Sequence, residues 1–186
     1  MSDDARLNIL GLSGSLRKGS FNTAILCAAV DLAPADMHIR MRTLEEIPIY
    51  NEDVRAEGYP APVQALRDEI ASADGVLIAT PEYNYSIPGV LKNAIDWASR
   101  PPDQPFEGKP VALMGASPGR IGTARAQYHL RQCFVFLDSR VMNRPEVMVS
   151  GANKLIDENG RLIDDGTRQH IAKMLEAFAL WCRRAR

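Results

Sequence analysis

Along this chain, short apolar runs alternate with stretches whose apolar positions recur every three or four residues, and the pattern yields five strand-like segments. Residues 7–12 are almost continuously apolar and stop at Ser13-Gly14; Ile25, Leu26, Ala29 and Val30 then fall at helical spacing within residues 21–32. Residues 37–44 alternate instead, with Met37, Ile39 and Met41 on one face and His38, Arg40 and Arg42 on the other, which predicts an edge strand. Residues 47–62 are rich in proline and charge and read as a surface loop, and Val63, Leu66 and Ile70 then mark an amphipathic helix. A continuous apolar strand follows over residues 75–80.

Pro88 is placed as the first residue of the next helix, where proline forfeits no intrahelical bond, with Ser86 or Asn84 as its cap. That helix buries Val90, Leu91, Ala94, Ile95, Trp97 and Ala98 and is stopped by Pro101-Pro102. A buried strand over residues 110–116, a glycine-containing turn over 117–122 and a helix over 123–137 come next, then a last strand over 140–148. After a turn at Asn159-Gly160, residues 165–184 form a closing helix with Ile171, Leu175, Phe178 and Leu180 inward.

Strands alternating with helices imply parallel βαβ units with right-handed crossovers. The fold class is α/β: a doubly wound, five-stranded parallel sheet of flavodoxin-like order 2-1-3-4-5 in three layers, with residues 1–186 as one domain lacking repeats or linkers. In that order, a ligand crevice lies between the carboxyl ends of strands 1 and 3.

Charge narrows the partners. The 186 residues carry 22 basic and 23 acidic side chains, a net charge of −1, and the basic ones are scattered except for Arg183-Arg184-Ala185-Arg186. A nucleic-acid or membrane footprint is therefore not expected, and those arginines read as a solvated helix end. Cys27, Cys133 and Cys182 form no C-x-x-C pair, which argues against a disulfide framework or a zinc site and for a reducing cytoplasm. Cys133 is expected in the core, and His38, His129 and His170 are too dispersed to ligate a metal. Met1-Ser2-Asp3-Asp4 opens without a signal-like pattern, and no apolar run approaches the ~20 residues of a membrane span.

Two loops carry the chemistry. Residues 13–22 form a glycine-containing turn before a helix, an anion nest with Ser13, Ser15, Ser20 and Asn22 as donors and Arg17 as a phosphate fork. Gly14 and Gly19 are spaced like P-loop glycines, but Ser20 stands where that motif needs lysine, and no G-x-G-x-x-G occurs. A phosphate monoester fits better than a nucleoside triphosphate or a dinucleotide. Residues 81–89 bring Tyr83, Tyr85, Asn84 and Glu82 beside a proline-started helix, as a flavin ring requires. Glu82 either faces that ring or shapes its own loop by accepting backbone N–H bonds, and both tyrosines also fit a wet rim.

GSLRKGSFN (14–22), PEYNYSIPGVLKNAIDWASR (81–100) and RAQYHLRQCFVFLDSRVMNRPE (125–146) together resemble the NADPH-dependent FMN reductase family, in its bacterial quinone and chromate reductase branch. The resemblance implies a bound FMN, reduced by NADPH or NADH and reoxidised by a quinone or another acceptor, among them chromate, azo or nitro compounds, in a ping-pong cycle. It assigns cofactor binding to Ser13, Ser15, Leu16, Arg17, Ser20, Phe21 and Asn22, to Pro81, Glu82, Tyr83, Asn84 and Tyr85, and to Ser117 and Gly119. Around the last two, Pro118 and Arg120 depart from the texture of many relatives. No catalytic side chain and no metal are implied. A homodimer or homotetramer is, with Tyr85, Arg125, Tyr128 and Glu146 as interface candidates, and Arg17, Arg120 and Arg125 are the cations available to a 2′-phosphate. An electron-carrier flavodoxin is the rival reading, which the nearly neutral charge and Arg17-Lys18 disfavour; an FMN-binding redox regulator is another.

Overall fold

The first strand, β1 (Leu7–Ser13), pairs in parallel with β2 (Met37–Arg42) on one side and β3 (Gly75–Ala79) on the other, so that Ile9 lies between Ile39 and Gly75. β3 continues the sheet to β4 (Pro110–Ala116), and every residue of these two strands is buried. Strands covered on both faces need continuous apolar runs, which is what the sequence shows there. β2 is an edge, with Met37 and Ile39 buried and His38 and Arg40 exposed. These statements rest on a computed structural model that describes residues 6–185, so the reading of residues 1–4 and of Arg186 lies outside the described chain.

Two apolar cores sandwich the sheet. One packs α1 (Phe21–Asp31) and α7 (Asp165–Ala185), through Ile25, Leu26, Met174 and Phe178. The other packs α3 (Ala61–Ser72), α4 (Gly89–Ala98) and α5 (Ala124–Phe136), through Leu66, Ile70, Trp97 and Phe134. The order is β2-β1-β3-β4, with the fifth position beside β4, the expected 2-1-3-4-5 arrangement.

Several expectations are corrected. The last strand is two short segments, β5 (Arg140–Val141) and β6 (Val147–Val149), each parallel to β4. The intervening chain includes Pro145, which has no N–H for a ladder. The loop over residues 47–62 contains α2 (Glu52–Glu57), started by the Asn51 side chain accepting from the Asp53 N–H at 2.8 Å. A second short helix, α6 (Ala152–Leu155), follows β6. Pro88 is the N-cap of α4 rather than its first residue, and neither Ser86 nor Asn84 caps it. Within α4, Val90 is half-buried. In α7, Leu180 is 57% exposed while Cys182 is buried, because five residues beyond Leu175 turn a helix by about 140° away from the core. Cys133 is half-buried rather than core.

Candidate functional site

The carboxyl ends of β1, β3 and β4 release three loops on one edge of the sheet: residues 14–20, 80–88 and 117–123. The first two meet at Gly14, whose N–H donates to the Ala79 carbonyl at 2.8 Å. A Cβ there would lie 3.2 Å from Pro81 and 3.3 Å from Pro88, so the two loops approach closely enough that any larger residue would push them a few tenths of an ångström apart. The third loop is pressed onto the sheet at Gly115, where a Cβ would fall 1.8 Å from Thr123 Oγ1.

In the first loop, Ser20 Oγ accepts from the N–H groups of Asn22 and Thr23, each at 3.2 Å, and caps α1. Ser13 Oγ shares a 2.9 Å bond with Thr23 Oγ1. Arg17 is exposed and lays its guanidinium 5.0 Å from the centre of the Phe21 ring. Asn22 is turned inward and fully buried against β4: its Nδ2 donates to the Ala116 carbonyl at 3.0 Å and its Oδ1 accepts from the Ala116 N–H at 2.9 Å. This side chain thus fastens the start of α1 to the end of β4.

In the second loop, Tyr83 and Ser86 exchange backbone hydrogen bonds of 3.1 and 2.9 Å around Asn84 and Tyr85, which both have positive φ. Glu82 accepts from the Ala126 N–H at 3.1 Å with one oxygen and faces Arg125 at 3.5 Å with the other. Thr123, the N-cap residue of α5, supplies no side-chain cap, and Glu82 takes that place from across the cleft. Its N–H partner thus belongs to α5 rather than to its own loop, and the side chain also lines the cleft.

These loops enclose a cleft of about 330 Å³. From the expected set, Ser15, Arg17, Ser20, Phe21 and Asn22 line it on the first loop's side, and Pro81, Glu82, Tyr83 and Ser117 on the others. Ser13 is buried behind the loop, while Leu16, Asn84, Tyr85 and Gly119 are exposed beside the cleft and are not among its lining residues. Ala116 and Pro118 line it as well. Both neighbour Ser117, and the apolar end of β4 was the available signal for them. Of the three cations considered for a 2′-phosphate, Arg125 is engaged by Glu82 and by the Tyr85 ring, Arg120 is exposed and not among the lining residues, and Arg17 stands in the cleft wall. Tyr128 and Glu146 are exposed, and the Glu146 carbonyl lies 2.6 Å from His170 Nε2.

The donor set and the walls fit FMN. A cation, two hydroxyls and a helix amino terminus suit a phosphate monoester, and Pro81, Tyr83, Ala116 and Pro118 offer apolar contact to a flat ring. The volume is near the lower end of the usual range for ligand pockets, about 300–1,000 Å³. Among the described residues no group of three or more His, Cys, Asp or Glu could hold a metal, and no helix is long and apolar enough to cross a membrane. Burial pushes the thiols of Cys27 and Cys133 up, Cys27 also through Asp31, so neither is primed as a nucleophile.

Comparison with known proteins agrees with this geometry. Residues 7–154 match the family described as NADPH-dependent FMN reductase. The chain is 58% identical to an NAD(P)H-dependent FMN reductase of Pseudomonas aeruginosa over 186 residues, all of both chains. It is 50% identical to a quinone reductase of Escherichia coli K12 over 184 residues, covering 97% of this chain and 98% of that one. Among solved structures it is similar to a flavoenzyme NAD(P)H:(acceptor) oxidoreductase from Paracoccus denitrificans, with a TM-score of 0.87, 35% identity, and coverage of 96% and 98%.

Proposed function

Because the chain belongs to the NADPH-dependent FMN reductase family, we propose that it binds FMN in the cleft and passes electrons from NAD(P)H to quinones there. One observation carries this reading: a single cleft is lined by the cationic, hydroxyl-bearing start of α1 and by the apolar Pro81, Tyr83, Ala116 and Pro118. Bound there, FMN supplies hydride acceptance and electron release. Arg17 and the amino terminus of α1 neutralise the phosphate, with Ser15 and Ser20 as hydroxyl partners. Pro81, Tyr83 and Pro118 bound the ring, and Glu82, turned towards α5, sets the shape of the loop beneath it.

No side chain is asked to act as acid, base or nucleophile. The exposed rim at Tyr83 and Pro118 leaves room for donor and acceptor to use one face in turn, which gives ping-pong kinetics and a broad acceptor range that includes chromate, azo and nitro compounds. We place the enzyme in the cytoplasm as a homodimer or homotetramer. The exposed Tyr128, Val135 and Phe136 on α5, at 52%, 78% and 92% of full exposure, support self-association along the face that includes Arg125.

The visible spectrum tests the cycle. Oxidised-flavin bands should bleach on anaerobic addition of NADPH and return with benzoquinone. A yellow protein that NADPH cannot bleach would instead be an electron carrier, and a colourless one that ignores added FMN would remove the flavin reading.

A further inference from the structure

The second loop holds a backbone conformation that its own residues do not favour. Asn84 and Tyr85 have φ of 50° and 63° between Tyr83 and Ser86, which exchange backbone bonds, so they form a two-residue hairpin turn with both central residues left-handed. Asparagine suits the first of these positions, but the second prefers glycine, and an aromatic residue there is strained. Such strain persists only where the surroundings over-determine it. Tyr85 is 66% exposed, so burial in the core does not hold it.

The side-chain contacts made by residues 82–86 come from one element, α5. Arg125 sets its guanidinium 3.8 Å from the centre of the Tyr85 ring and lies 3.5 Å from Glu82. Glu82 accepts the Ala126 N–H at 3.1 Å, and Ser86 Oγ is 3.1 Å from His129 Nδ1. Residues before, within and after the turn are thus tied to the first six residues of α5. Tyr83 lines the cleft and Tyr85 does not, so the turn presents one tyrosine to the site and the other to its clamp.

We propose that Arg125 is a positioning residue: by stacking on Tyr85 while paired with Glu82, it holds the Asn84-Tyr85 turn left-handed and so sets Tyr83 and the second loop for the ring of a bound flavin. The functional half of this rests on the FMN reading above; the structural half does not. The role follows from paired geometry, because the same guanidinium engages both the strained residue and the carboxylate that caps α5.

A double-mutant cycle on the full chain tests it, using Arg125→Ala in the native background and in Tyr85→Gly, where glycine accepts the left-handed position without a clamp. Hydrogen exchange at the Tyr83 and Ser86 amides, measured without flavin, reads the turn itself. Arg125→Ala should speed that exchange about fivefold, as loss of a cation–π contact of ordinary strength implies, and Arg125→Lys should recover part of the protection. In the Tyr85→Gly background the same substitution should change exchange by less than about twofold. Flavin titration reads the consequence: in the native background Arg125→Ala should weaken FMN and riboflavin by the same factor, about fivefold, because the turn serves the ring and not the phosphate. Unchanged exchange, or an equal Arg125→Ala effect in both backgrounds, overturns the proposal. So does a loss confined to FMN, which would make Arg125 a phosphate contact. A chain that binds no flavin would refute the FMN reading, while the exchange data would still decide whether Arg125 holds the turn.

Discussion

The first and second loops leave adjacent strands of one sheet, yet they are held by opposite means. The first is closed from nearby: Ser20 caps residues two and three positions on, and Ser13 reaches Thr23 ten positions away. The second is held from afar, with Glu82 to Ala126 spanning 44 positions and Ser86 to His129 spanning 43. A locally closed loop keeps its shape wherever its own residues are kept. A remotely held one is a property of the packed fold, and substitutions on α5 will reach it.

Two contacts in the first segment are long-range, the Gly14 N–H on Ala79 and the Asn22 side chain on Ala116, 94 positions away, and the second gives the largest expected effect. Asn22→Ala leaves a buried N–H and C=O without partners and should cost about 3 kcal/mol of stability, read as a lowered urea midpoint. A loss below about 1 kcal/mol would mean that the Asn22–Ala116 pair does not fasten α1 to β4. Arg17→Ala should weaken FMN binding by about 1.5–3 kcal/mol through loss of a charge-assisted contact, with the melting temperature unchanged. An unaltered FMN affinity would refute the phosphate role of Arg17.

Ser20→Ala removes a local cap and should cost about 1 kcal/mol of stability, whereas Ser20→Asp should restore it. Asp164 is a charged counterpart of that cap, accepting from both the N–H and the hydroxyl of Thr167 at 2.7 Å, and these bonds hold its carboxyl below the ordinary value. Its contribution is therefore present above the unfolded carboxylate pKa of about 3.9 and is lost as pH falls through the lower folded value. Asp164→Asn keeps a cap but removes the titration, so stability at neutral pH should hold while the acid limb of an unfolding curve becomes shallower. An unchanged acid limb would show that Asp164 adds no pH dependence.

The same division explains what could be read in advance. β3 and β4 announced themselves because strands buried on both faces must be apolar throughout, whereas Ser20, expected as an anion donor, is also the cap of α1. The short helix α2 buries no residue, so it left no periodicity to detect. The break between β5 and β6 was marked by Asn143-Arg144-Pro145, and it was missed because the apolar residues on either side were read as one run. Leu180 was misplaced by treating an apolar residue as inward without following the helical angle from Leu175. At the site, the residue types of the second loop were legible and its geometry was not. The cap that Glu82 supplies and the left-handed φ of Tyr85 depend on Ala126 and Arg125, which no local pattern connects to residues 82–85.

The most direct test of a site divided between a phosphate loop and a ring loop compares FMN with riboflavin, which carries the same ring without the phosphate. Fluorescence titration of the wild-type chain and of Arg17→Ala measures both affinities under one set of conditions. The wild type should bind FMN at least about tenfold more tightly than riboflavin, and Arg17→Ala should lose most of that preference. Equal affinity for the two flavins in the wild type would contradict the assignment of the first loop to the phosphate.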